Sequence, residues 1–315
     1  MHLFLHWFIP LSIALILCIF SSAVVSQELN GFNIDDALIP VEEIMPGGPP
    51  KDGIPSLDNP QFVPANRAVE LYDEDLVLGV VVGGVAKAYP IRILNWHEVV
   101  NDSISNVSMV VTYCPLCGSG VVFHSQIKGQ RLRFGVSGLL YNSDVLLYDR
   151  KTQSLWSQLK SAAVTGHFKG QALLPMVSQH TSWKSWRSQY PETLVLNFDT
   201  GYERNYTRNP YAGYDKSDQL YFPIEFRAQG FHPKEKVIAI ELNGSARAWP
   251  FVELRKTSGV VTDVLAGNSL RVEFDAEHNA ARIMNEKGSP LAAVTLFWFA
   301  WSGFYPQTEV YRFVK

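Results

Sequence analysis

Cysteine is nearly absent from this chain, with three in 315 residues. That scarcity excludes a disulfide-dense small scaffold. Basic residues are missing from the whole N-terminal stretch before Lys51, and no long Lys/Arg run follows. With a formal net charge of −3, the composition argues against nucleic acid and against anionic lipid headgroups as partners. Methionine is also sparse, at five residues, so no methionine-rich copper loop exists. The chain carries no phosphate loop, HExxH, dinucleotide fingerprint or Ser-His-Asp pattern that would name a reaction.

What is present is apolar. Hydrophobic residues make up 47% of the chain and charged residues 18%, which excludes a disordered protein and supplies a core for one large domain or two ordinary ones. Residues 3–25 are almost wholly apolar and uncharged. They read as a secretory signal peptide, with Val24 and Ser26 at a small-residue cleavage site, or as a retained membrane tether of spanning length. The usual positive n-region is missing. Leu17 before Cys18 argues against a lipoprotein. Either alternative puts the body outside the cytoplasm, secreted or membrane-anchored, where disulfides are permitted. Asn101, Asn106, Asn205 and Asn243 stand in N-x-S/T sequons, usable for glycosylation where exposed.

Residues 27–66 are rich in Pro and Gly and read as an extended arm, with Ile54, Leu57, Phe62 and Val63 as apolar anchors for a strap over residues 52–64. From residue 75 onward β-branched runs alternate with turn residues, as at "DLVLGVVVGGVAKAYP". Helical segments are few: one or two turns over 95–102, and a helix near 180–189 capped by Ser178 or Thr181 and stopped by Pro191. Trp183 and Trp186 lie one turn apart on its core face. "EDLVLGVVVGGVAKAYPIRILNWHEVVND" (74–102) parallels "EKVIAIELNGSARAWPFVELRKTSGVVTD" (235–263), which predicts two related β units, 67–232 and a degenerate 233–315. A looser match sets "TYCPLCGS" beside "FWFAWSGF", with Phe299 and Ser302 at the cysteine positions. The expected fold is mainly β, two hairpin-based units forming a barrel or sandwich with few short helices.

The chemistry concentrates in "TYCPLCGSG" (112–120). Covalent haem attachment is excluded, because Gly118 stands where histidine is needed. A thioredoxin-like redox pair needs a helix after the first cysteine, and here a turn and the β-run Val121-Val122-Phe123 follow. A plain disulfide would close a very small loop and stabilise little. A C-P-x-C-G turn between strands is also a metal knuckle, pointing two sulfurs the same way. His124 on the returning strand and His97 in "NWHEVVND" complete a ligand set that suits zinc, copper or iron. The preferred reading is an extracytoplasmic metal-thiolate protein with Cys114, Cys117, His124 and His97 as ligands. Thiol–disulfide exchange through Cys114, and a scaffold with a simple disulfide, stay open. The histidines at 167, 180, 232 and 278 read as ordinary surface residues.

The set "HEVVND", "VTYCPLCGSGVVF", "FGVSGLLYNSDVLLYDRKTQSLWSQ", "YPETLVL" and "FWFAWSGFYPQTEVY" resembles the uncharacterised extracytoplasmic family catalogued as domain of unknown function 3179, over about residues 50–312. The resemblance implies a secreted or tethered protein that shares the CPLC turn, and it carries no settled activity. Its motifs add Ser137, Asn142, Asp144, Asp149, Arg150, Trp156 and Gln158 as residues that either line a cleft with the thiols or serve turns; "YNSD" reads as an Asx-type turn. The Tyr-rich segment 201–218 reads as an ordered loop packed on the β body.

Overall fold

A computed structural model describes residues 27–315. The apolar leader, its cleavage site and Cys18 lie outside the described residues. The fold is mainly β, with five small sheets in a five-blade propeller arrangement and, among the described residues, four short α-helices. The arrangement does not confirm a barrel or a sandwich. Among these residues no helix is long and apolar enough to cross a membrane.

Two of the sheets share one plan, dictated by the paralleled sequences. Leu76–Val82 and Val85–Pro90 form a hairpin, as do Lys236–Leu242 and Ser245–Pro250. Both turns place two residues at positive φ, Gly83-Gly84 at +56° and +79° and Asn243-Gly244 at +52° and +81°. That geometry matches the twist of the flanking strands and favours Asn and Gly. In each case an antiparallel strand flanks the first arm, Ser178–Ser182 or Val294–Phe297. A short helix follows, Trp183–Gln189 or Trp298–Phe304, and then a strand lies parallel to the second arm, Leu194–Leu196 or Glu309–Val310.

The side chains repeat as well. "SWKSWRSQYPETLV" (182–195) stands against "FWFAWSGFYPQTEV" (297–310). Trp186 Nε1 donates to Thr193 Oγ1 at 2.9 Å, and Trp301 Nε1 donates to Thr308 Oγ1 at 2.8 Å. The next aromatic packs on each indole, Tyr190 at 4.3 Å and Tyr305 at 4.1 Å between centroids. Lys87 and Tyr89 converge on Asp102, each at 2.7 Å. Arg247 and Trp249 converge on Asp263 in the same way, at 2.9 and 2.8 Å. The counterpart of 297–304 is therefore the 182–189 helix, not the CPLC turn. The loose match failed because a short ungapped resemblance carries no information about strand pairing.

The helix expected near 180–189 starts later, at Trp183, because residues 178–182 pair as a strand. Ser182 Oγ caps it by accepting from Ser185 N at 3.2 Å, in place of Ser178 or Thr181. Trp183 and Trp186 are core residues, each 1% exposed. The helical turns expected over 95–102 come earlier, at Ile91–His97, and Val99–Ile104 is a strand. Within 27–66 the chain is less irregular than its Pro/Gly content predicts. Ile44–Pro46 and Phe62–Pro64 join sheet edges, and Leu57 is buried and bridges to Val100. Asn101 is also buried, with its side-chain amide bonded to Asp58, to the Phe134 carbonyl and to the Phe134 amide, so that sequon is closed in the folded chain. Asn106, Asn205 and Asn243 are exposed.

The paired Trp–Thr bonds give a quantitative expectation. Thr193 is fully buried, so Thr193→Val leaves an indole N–H without a partner and should cost about 1–3 kcal/mol. Thr308 is half-buried, so water can replace its hydroxyl and Thr308→Val should cost less. Urea denaturation midpoints of the two variants check this; equal losses would contradict it.

Candidate metal centre

Two hairpin tips meet at the centre. Val107–Cys114 and Ser119–His124 form the first hairpin, closed by the pair Cys114↔Ser119. Its turn needs Gly118, which has φ +62° and lies where a Cβ would come within 3.1 Å of the Phe297 ring. The Phe297 amide donates to the Cys117 carbonyl at 2.8 Å, which docks this turn on the second unit. The second hairpin joins Phe134–Tyr141 to Asp144–Asp149 through Asn142 and Ser143, at φ +49° and +62°. This is a two-residue hairpin turn rather than an Asx turn, and it aims Asp144 at the thiols. Asn142 Oδ1 accepts from the Glu225 amide at 2.9 Å, and Ser143 Oγ donates to the Phe222 carbonyl at 2.8 Å. The loop after residue 197 thereby clamps the tip.

The ligand atoms of Cys114, Cys117 and Asp144 all lie within 4.8 Å of one another. The three residues are at most 1% exposed, and both thiols are free. The thiols lie 3.7 and 3.4 Å from the Ser143 carbonyl, weak contacts for S–H donors. One Asp144 oxygen accepts from the Leu159 amide at 3.1 Å, but Oδ1 is buried without a hydrogen-bond partner. The Tyr214 hydroxyl is likewise buried and unpartnered.

The electrostatics are one-sided. Burial pushes the Asp144 carboxyl up to about 7, against the pull of the Leu159 and Val145 amides and of the two thiols. Burial, with Asp144 nearby, pushes Glu98 up to about 8. Cys114 is raised by burial, eased by a hydrogen bond from Cys117, and raised again by Asp144 and Glu98. Cys117 is raised further, by burial and by Cys114 and Asp144. No cationic side chain ranks among the main influences on any of these four groups. A buried set of four acidic groups with no internal cation is what a bound divalent ion would neutralise.

Glu98 was not singled out from the sequence, although "HEVVND" displays it. An acid between a helix and a β-branched run was its only signal. It ends the Ile91–His97 helix with φ +57°, a conformation a non-glycine residue adopts at some cost, and its carbonyl accepts from the Tyr113 amide at 2.8 Å.

The two histidines expected as ligands are not brought into the group. His124 sits at the far end of the thiol hairpin, paired with Met109, and its side chain is exposed. A returning strand carries its last residue away from the turn at about 3.3 Å per residue. His97 is buried beside Glu98, but both ring nitrogens are engaged, Nδ1 with the Pro55 carbonyl at 2.7 Å and Nε2 with Tyr206 Oη at 2.6 Å.

Of the other polar residues in the motifs, Asp144 alone joins the group. Gln158 braces the thiol hairpin: it accepts from Ser119 Oγ at 2.6 Å and donates to Thr112 Oγ1 at 2.8 Å. Ser137 Oγ donates to the Leu146 carbonyl and accepts from the Leu139 amide at 3.0 Å, filling a strand irregularity. Asp149 holds its own turn through Thr152 and accepts from Trp156 Nε1 at 3.1 Å. Arg150 pairs with Asp58 at 2.6 Å.

A family model described as a protein of unknown function, DUF3179, matches residues 51–308. The chain belongs to that family. Comparisons with curated proteins and with solved structures find no match.

The raised carboxyls fix a pH dependence for metal-free protein. The folded chain keeps protons on Asp144 and Glu98 that the unfolded chain releases near their ordinary values of 3.8 and 4.5. Their contribution to stability is full below about pH 4 and is lost as pH rises through 7 to 8, on the order of 4 kcal/mol for Asp144. Chelator-treated protein should therefore melt at lower temperature as pH rises from 5 to 8, and Asp144→Asn should flatten that slope. An unchanged slope in the variant would contradict the assignment.

Proposed function

We propose that the chain is an extracytoplasmic metal-thiolate protein in which Cys114, Cys117 and Asp144 hold one divalent ion. The observation that carries this reading is a buried Asp144 carboxylate within 4.8 Å of two free thiols, one of its oxygens without a hydrogen-bond partner. An unpaired carboxylate oxygen in the interior costs several times what a satisfied one does, and a cation removes that cost. Two soft sulfurs with a carboxylate suit zinc best among the ions considered, ahead of copper and iron. Glu98, whose charge acts on Cys114 and which is itself raised by Asp144, is a further donor of the right charge. The burial of all three donors favours a closed centre that ties the two hairpin tips together over one that offers substrate an open position. Residues 3–25 supply the secretion signal or the tether.

Thiol–disulfide exchange is the second reading, supported by the hydrogen bond through which Cys117 lowers Cys114. Burial opposes it, because the attacking species is the thiolate and both thiols are raised.

Metal analysis by mass spectrometry, with thiol titration, on protein purified without chelators tests the proposal. About one zinc per chain is expected, falling at least tenfold in Cys114→Ser, Cys117→Ser and Asp144→Ala. His124→Ala should retain it, and so should His97→Ala where the fold survives. Metal-free wild type that traps a mixed disulfide in Cys117→Ser would replace the metal reading with the redox one.

A further inference from the structure

His180 is not the surface residue its polar neighbours suggest. It is 8% exposed, and neither ring nitrogen has a hydrogen-bond partner. Such a group is rare in a folded protein, since each unpaired buried polar atom costs about 1–3 kcal/mol. Burial, reinforced by Lys236, holds the imidazole down to about 3, so it is neutral at physiological pH and offers one N–H and one lone pair.

His180 is among the residues that line a cavity of about 450 Å³. That size is in the range of small-molecule sites. The cavity lies between the two similar sheets. His180 pairs with Leu78 on one side, and Thr295 pairs with Ile238 at the matching place on the other; all four line it. Most of the remaining wall is aliphatic or aromatic, including Trp186 and Ile283. Arg282 is the one charged residue in the wall, with its Nε held by Glu273. No Asp or Glu lines the cavity. Lys236, itself desolvated, acts on His180 as a positive group from outside the wall.

We propose that this cavity is a binding site for a small apolar monocarboxylate, its chain against the aliphatic walls and its head group accepting the His180 N–H. An apolar body is required by the walls. A single negative charge is favoured by the Lys236 charge that acts on His180 and by the absence of acids from the wall. The imidazole supplies the directional contact that fixes orientation. The site is independent of the thiol centre and does not rest on the metal reading.

Isothermal titration of the full chain with octanoate, and with 1-octanol as the uncharged control, tests the proposal. Octanoate should bind saturably and 1-octanol at least tenfold more weakly. His180→Leu should weaken octanoate at least tenfold while the ligand-free variant melts no lower than wild type, because an unpaired polar ring has been removed. Ala293→Phe, which fills the cavity from the opposite wall, should abolish binding and decides the matter if His180→Leu does not fold. The proposal is overturned if wild type shows no saturable octanoate binding. It is equally overturned if the alcohol binds as well as the acid, or if Ala293→Phe leaves octanoate binding intact.

Discussion

A carboxylate oxygen shut away from water, with two thiols nearby and no cationic side chain among the main influences on it, is the constraint around which the first unit is arranged. Asp144 cannot relax toward solvent, because the Asn142–Ser143 turn that carries it is clamped by the loop at 222–225. The thiols cannot relax either, since the Cys117 carbonyl is bonded to Phe297 and Gly118 leaves no room beside that ring. Glu98 adds backbone strain here, with φ +57° outside any hairpin turn. Strain of that kind persists only where the surroundings hold it. The proposed ion would answer both the charge and the unpaired oxygen.

The scaffold has a simpler logic. Twice, an aspartate of the next sheet along the chain receives a cation and an aromatic donor from the second arm of a hairpin: Lys87 and Tyr89 on Asp102, Arg247 and Trp249 on Asp263. A Trp–Thr bond then locks the helix that closes each sheet. The two sheets differ in what is placed around this frame. The first unit continues into the thiol hairpin and the Phe134–Asp149 hairpin, whose tips form the centre. The second contributes Phe297 and Trp298 to the apolar cluster that contains Cys114 and Cys117. The surroundings of the thiols therefore come from both paralleled segments, although Cys114, Cys117 and Asp144 all lie in the first half of the chain.

Local pattern made much of this legible in the chain itself. Short β-branched runs bounded by turn residues gave the strands, because both signals lie among neighbours along the sequence. Asn243-Gly244 and Gly83-Gly84 gave the hairpins, because those residues tolerate positive φ. The CPLC turn announced a thiol site for the same reason: both sulfurs sit on one short turn. The paralleled segments 74–102 and 235–263 were readable side by side, down to the aspartates that close them.

What the chain by itself determined, then, is the set of strands, the turns between them and the two thiols. Everything that depends on which tip meets which was decided in three dimensions. Asp144 was one polar residue among seven in the shared motifs until the second hairpin brought it to the sulfurs. His97 and His124 were attractive by proximity in sequence, yet one is saturated by Pro55 and Tyr206 and the other points to solvent from the wrong end of its strand. His180 looked polar and exposed among Gln179 and Thr181, and only the packing of two sheets against each other buries it. Burial and ligation are relations between segments distant in sequence, and a local pattern does not contain them.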